Sequence, residues 1–95
     1  MTREEHLLTI VAEECNEIAQ RATKALRFSL EEIEPGQEFS NRERLFQEFG
    51  DLIAVLRMLF PEDFDHIPFT EWQKNKQHKV EKYLEYSEFL GTVND

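Results

Sequence analysis

Two short acidic motifs carry the chemistry this chain offers: Glu13-Glu14-x-x-Glu17 and Glu48-x-x-Asp51. Carboxylates that converge repel one another unless protons or a cation intervene. Ligation by oxygen alone favours Mg2+ or Mn2+ over zinc or copper. Mg2+ usually keeps positions open for water and substrate phosphates. Such a set therefore predicts a metal site that works on a phosphorylated substrate, with Glu14, Glu17, Glu48 and Asp51 as ligands.

The elements that must position these acids are helices. From Thr2 to about Phe28 there is no Gly or Pro, and Leu7, Leu8, Val11, Cys15, Ile18, Ala22, Ala25 and Leu26 recur at three- and four-residue steps. That period predicts a long amphipathic helix, opened by a capping box of Thr2 with Glu5. Residues 29–40 break the period, carry the turn signal Pro35-Gly36, and read as a solvated loop with a short helical turn near Leu30–Ile33. A second helix is expected from about Asn41 to Phe60, capped by Ser40 or Asn41 and stopped by Pro61. Its buried stripe is Leu45, Phe49, Leu52, Ile53, Leu56 and Leu59. After an acidic connection from Pro61 to Pro68, a third helix is expected over about Thr70–Leu90, with Trp72, Val80, Tyr83, Leu84, Tyr86 and Leu90 on its apolar side and Gly91 as terminator.

Residues three apart share a helix face, so each motif presents its acids together. At about 100° per residue, Glu14 falls beside Leu7, Val11 and Ile18, and Glu48 beside Val55 and Leu59. Both acids thus lie at the edge of an apolar stripe. Acidic pairs on a helix are usually solvated surface charge; two pairs at the edges of two apolar stripes favour a functional site over that reading. If the stripes pack together, the four acids meet at the rim of the interface.

Arg21 and Lys24 continue the Glu14–Glu17 line toward Phe28, one and two turns on. They are placed to meet the charge of a polyphosphate chain, although Glu17 and Arg21 also have the spacing of an ordinary ion pair. Lys79 falls with Lys76 on the side of Trp72 and Tyr83, and is a further phosphate candidate. The alternative for these lysines is to lay their stems over apolar surface with the charge in water. His6, His66 and His78 are scattered and form no Glu-x-x-His pattern. Cys15, the one cysteine, falls on the apolar face and is expected in the core.

With 95 residues, the chain is expected to form a single domain, 1–95. The net charge of -9 opposes binding to nucleic acid or anionic membrane, yet leaves room for a small anionic ligand carried on a cation. One cysteine permits no internal disulfide, and no long apolar run suggests a leader or a span, so a cytoplasmic location is expected. Three helices of this size leave an apolar face for a second copy to cover.

The two motifs, in this order on two helices of a small all-helical chain, resemble the MazG-like nucleoside triphosphate pyrophosphohydrolases. The resemblance covers about residues 5–60 and reaches more loosely through Lys76-x-x-Lys79-Val80-x-Lys82-Tyr83. It implies an all-α fold of antiparallel helices with a four-helix-bundle core completed by oligomerisation, as a homodimer or homotetramer. It implies Mg2+-dependent hydrolysis of a nucleoside triphosphate to the monophosphate and pyrophosphate. It assigns the ligands as Glu14, Glu17, Glu48 and Asp51, and makes Glu13 an auxiliary acid that places water or a second metal. Two other readings stand beside it. One is a non-catalytic helical interaction protein that retains the carboxylate metal site. The other is an acidic partner of a basic protein, or a DNA mimic, whose acids need no metal.

Overall fold

The computed structural model of the chain describes residues 1–94. It is all-helical, with α1 at Arg3–Phe28, α2 at Asn41–Leu59 and α3 at Phe69–Leu90, and a short 3-10 turn at Phe64–His66. The chain divides into two compact units, Met1–Asp65 and His66 onward. No helix among the described residues is long and apolar enough to cross a membrane.

In the first unit α1 starts where a threonine supplies a cap. The Thr2 hydroxyl accepts the Glu5 N–H at 3.1 Å. The Glu5 carboxylate accepts a hydrogen bond from the Thr2 hydroxyl rather than from a backbone N–H, so the cap is one-sided. At α2 the box is complete: Ser40 Oγ accepts the Glu43 N–H at 3.2 Å, and the Ser40 N–H donates to Glu43 Oε1 at 3.2 Å. Pro61 follows the last residue of α2 and its C-cap, Phe60.

The connection between α1 and α2 is tied down rather than loosely solvated. Asn41, 2% exposed, donates from Nδ2 to the Ser29 carbonyl at 2.9 Å and to Glu32 Oε1 at 3.0 Å. The backbone N–H groups of Asn41 and Arg42 reach the carbonyls of Glu32 and Leu30. The turn expected near Leu30–Ile33 is present at Leu30–Glu31 and goes no further, and the Leu30 and Glu32 carbonyls accept from the start of α2. Further on, Gln37 N–H donates to the Glu34 carbonyl at 2.9 Å across Pro35-Gly36, with Gly36 at φ 87°. Pro followed by a positive-φ Gly is the arrangement of a type II turn.

Because Asn41 is fastened to the end of α1 while Glu48 meets Glu14 and Glu17, α1 and α2 run antiparallel. Buried Leu7 and half-buried Ile10, Val11, Ile18 and Ala25 mark the seam on α1. Leu45, Leu52, Ile53, Val55, Leu56 and Leu59 mark it on α2. Three expectations need correction here. Leu8, Ala22 and Leu26 lie outside the seam and are exposed. Cys15 is exposed rather than core. Phe49 is 53% exposed. The apolar residues of α1 form two adjacent stripes, and α2 covers one of them.

In the second unit, α3 begins at Phe69 with no side-chain cap and ends on Gly91, whose φ of 78° is the left-handed geometry of a helix stop. None of its residues is buried, and Trp72, Tyr83, Tyr86 and Phe89 are all more than half exposed.

Candidate metal centre

Helix phase and antiparallel packing together bring Glu14, Glu17 and Glu48 into one cluster. Each offers a carboxylate oxygen within 4.8 Å of the others. Glu14 and Glu48 are half-buried at the seam; Glu17 stands on its solvent side. Glu14 Oε2 and Glu48 Oε2 are each fully shielded from solvent and meet no hydrogen-bond donor. Buried carboxylate oxygens without a donor are uncommon, because desolvation is then uncompensated.

The protonation of the cluster follows from that crowding. The hydrogen bond that Glu48 shares with Glu17, followed by burial and by the charges of Glu17, Glu14 and Asp51, pushes the Glu48 carboxyl up to about 7. Glu14 is raised by burial first, then by the charges of Glu17 and Asp51, against a hydrogen bond to Glu48 that lowers it. A proton shared among the acids relieves the repulsion in part. A hard cation does the same more completely, and the donor set is all oxygen.

Asp51 stands apart from the three glutamates. It is exposed and not one of the clustered donors, yet near enough for its charge to raise both Glu14 and Glu48. Glu13 is exposed on α1 and adds the smallest of the charges on Glu14. Alongside Glu17, a hollow of about 450 Å³ lined by Asn16, Glu17, Ala19, Gln20 and Thr23 opens to solvent.

The cations divide. Arg21 makes no ion pair with Glu17; it is 6% exposed, and its Nη1 is buried without an acceptor. Lys24 is half-buried. Lys79 stands exposed on α3 in the second unit. Sequence reasoning passed over Arg44. Its guanidinium donates to Glu34 Oε2 at 3.0 Å, and its side chain is only 17% exposed. The signal was present: Arg44 precedes Glu48 by four residues, as Arg21 follows Glu17 by four. On antiparallel helices those steps lead to the same end of the seam. Glu34 is accordingly lowered, by the Arg44 hydrogen bond first, then by the charge of Lys24, with a smaller share from Arg21.

No family model, curated protein or solved structure matches the chain. Its chemistry is carried by these residues and their geometry.

Proposed function

We propose that the chain hydrolyses a nucleoside triphosphate to the monophosphate and pyrophosphate with Mg2+, or Mn2+ in its place. The observation that carries this is the trio Glu14, Glu17 and Glu48, with two buried carboxylate oxygens that have no donor. Those residues would hold the cation, and Asp51 would complete the set from the open side. When bound, Mg2+ supplies positive charge to phosphoryl oxygens that gain negative charge in the transition state. Arg21 and Lys24 hold the phosphate chain one and two turns along α1. Glu13 orients the attacking water and receives its proton. Water attacks the α-phosphorus, the bond from that phosphorus to the bridging oxygen breaks, and pyrophosphate leaves. The resemblance to the MazG-like hydrolases supports this reaction class over other uses of a carboxylate-bound metal. The reading places the protein in the cytoplasm, with nucleotide pools, and away from nucleic acid and membranes.

We also infer a homodimer with a four-helix core, or a tetramer built from it. Leu8, Ala12, Cys15, Ala19, Ala22 and Leu26 form an exposed stripe with alternating steps of four and three along α1. That is the spacing of a helix-pairing seam. All six are exposed among the described residues, although apolar stripes of this length are usually buried.

The test is a panel of nucleoside triphosphates with Mg2+, assayed for pyrophosphate release. Release from at least one is expected. No release from any at high protein concentration overturns the hydrolase. The exposed aromatics of α3 favour a second reading, a non-catalytic helical interaction protein with a retained carboxylate metal site. It predicts no turnover and a melting temperature that still rises with Mg2+.

A further inference from the structure

Arg21 and Arg44 stand at equivalent places on the two helices, each four residues from a clustered glutamate and on the loop side of it. Lys24 lies one turn beyond Arg21. Three cations thus gather at one end of the seam in a chain whose net charge is -9. Their anion is Glu34, which accepts from Arg44 at 3.0 Å. One carboxylate leaves the group with unmatched positive charge. The deficit is located: Arg21 is 94% buried by its 6% exposure, and its Nη1 meets no acceptor. A buried guanidinium nitrogen without an acceptor is unfavourable, and the planar fork fits phosphate.

Glu34 is mounted so that it can leave. The chain before it is fastened to α2 through Ser29, Leu30 and Glu32. Glu34 itself opens the Pro35-Gly36 turn, and residues 35–39 are exposed. Its side chain is 44% exposed against 17% for Arg44. The anion therefore sits on the movable side of the pair and the cation on the fixed side.

We propose that Arg44, Arg21 and Lys24 form a subsite for the phosphate chain of the substrate, which Glu34 fills as an internal anion until phosphate displaces it. The proposal rests on the hydrolase reading and deepens it, adding Arg44 as a binding residue and Glu34 as a built-in competitor. Phosphate fits better than a carboxylate ligand because the acid cluster lies one turn away. A cation there and these three side chains would hold the same chain from both ends. An internal ligand that occupies a site nine-tenths of the time weakens apparent affinity about tenfold.

The experiment is calorimetric titration of the full chain with inorganic pyrophosphate in metal-free buffer containing EDTA. Glu34→Gln is expected to bind pyrophosphate about tenfold tighter than the unaltered chain. Adding Arg44→Met to that variant is expected to abolish the gain. Equal or weaker binding by Glu34→Gln overturns the proposal, as does a double variant that binds as tightly as Glu34→Gln. Should Arg44→Met lose its helical circular dichroism, Arg44→Lys in the Glu34→Gln background replaces it. That variant keeps the charge and loses the fork, so intermediate affinity supports the subsite and undiminished affinity overturns it. Nucleotide hydrolysis with Mg2+ is scored separately. Turnover with no change in pyrophosphate affinity removes the subsite and leaves the hydrolase. Tighter binding without turnover of any nucleotide does the reverse.

Discussion

Glu17 on α1 and Glu48 on α2 bring carboxyl oxygens within 4.8 Å of each other, an approach that a shared proton makes favourable. The Glu48 carboxyl is thereby raised from its ordinary 4.5 to about 7. The folded chain holds this proton where the unfolded chain has released it. Its stabilising contribution is full below about 4.5 and is lost as pH rises through about 7. Glu14 is raised in the same direction. Metal-free protein is therefore expected to melt several degrees lower at pH 7.5 than at pH 5.5. Mg2+ should recover the loss at the higher pH and act weakly at the lower, where protons compete for the same oxygens. Thermal melts in EDTA and in Mg2+ across this range check it. A flat metal-free profile would remove the shared proton from the account.

Replacing Glu48 by Gln separates stability from function at this position. The amide carries no charge and can donate to a neighbouring carboxylate, so repulsion in the metal-free cluster falls. Glu48→Gln is expected to melt higher than the unaltered chain in EDTA at pH 7.5, yet to gain nothing from Mg2+. Any pyrophosphate release should drop by about a hundredfold or more. A variant that kept full activity would take Glu48 out of the ligand set.

The parts of this picture that sequence reveals are those set by local chemistry. Helix phase places Glu14 and Glu48 at stripe edges, Ser40 with Glu43 marks the start of α2, and Pro61 marks its stop. What escapes is decided by neighbours. The apolar residues of α1 read as one broad face, because periodicity does not say which edge α2 covers. Cys15 therefore reads as core and lies outside. Arg21 reads equally as a phosphate ligand or as half of a surface ion pair with Glu17, and neither reading says that the seam buries it. Arg44 is ordinary until the loop carries Glu34 onto it, a contact spanning ten residues that no helical repeat encodes. Asp51 has the right spacing from Glu48 and still stays outside the cluster, on the exposed side.

Asn41 closes the loop that carries Glu34. Its side-chain amide donates to the Ser29 carbonyl and also holds Glu32. Asn41→Ala leaves both acceptors without it in a site that is 2% exposed. A loss of about 2 kcal/mol is expected, since buried polar groups stripped of a partner cost about 1–3 kcal/mol each. Urea unfolding measures it, and a change below about 0.5 kcal/mol would mean that water replaces the amide without penalty.

Ser29 ends α1 at φ 85°, ψ 157°, a region that glycine enters freely and other residues enter under strain. Its N–H donates to the Ala25 carbonyl, and its own carbonyl is the one Asn41 holds, so the backbone is fixed from both sides. Ser29→Gly is expected to stabilise the chain by about 1 kcal/mol, the relief of strain outweighing the added freedom of the unfolded chain. Denaturant midpoints compare the two, and a destabilised glycine variant would show that Ser29 is unstrained.

The exposed stripe of α1 reads the same in both directions about Glu17. Leu8 and Leu26 stand equally far from it, as do Ala12 and Ala22, and Cys15 and Ala19. A two-fold pairs residue i with residue j and j with i. An antiparallel pair of α1 helices centred on Glu17 would set Leu8 on the partner's Leu26 and Cys15 on the partner's Ala19. The four central residues are small, which lets the backbones approach, while the leucines close the ends. In that register Cys15 lies about 6 Å along the axis from the partner's Cys15, at about 1.5 Å per residue. With the gap between the helices added, the two fall outside the span a disulfide bridges. Ala19→Cys removes that obstacle by placing a thiol directly opposite Cys15. Under mild oxidation it is expected to form a covalent dimer on a non-reducing gel within minutes, while the unaltered chain stays uncrosslinked. Thr9→Cys, on another side of α1, serves as control. Crosslinking of Ala19→Cys no faster than of the control would exclude this register, and a chain monomeric by sedimentation at every concentration would exclude the dimer.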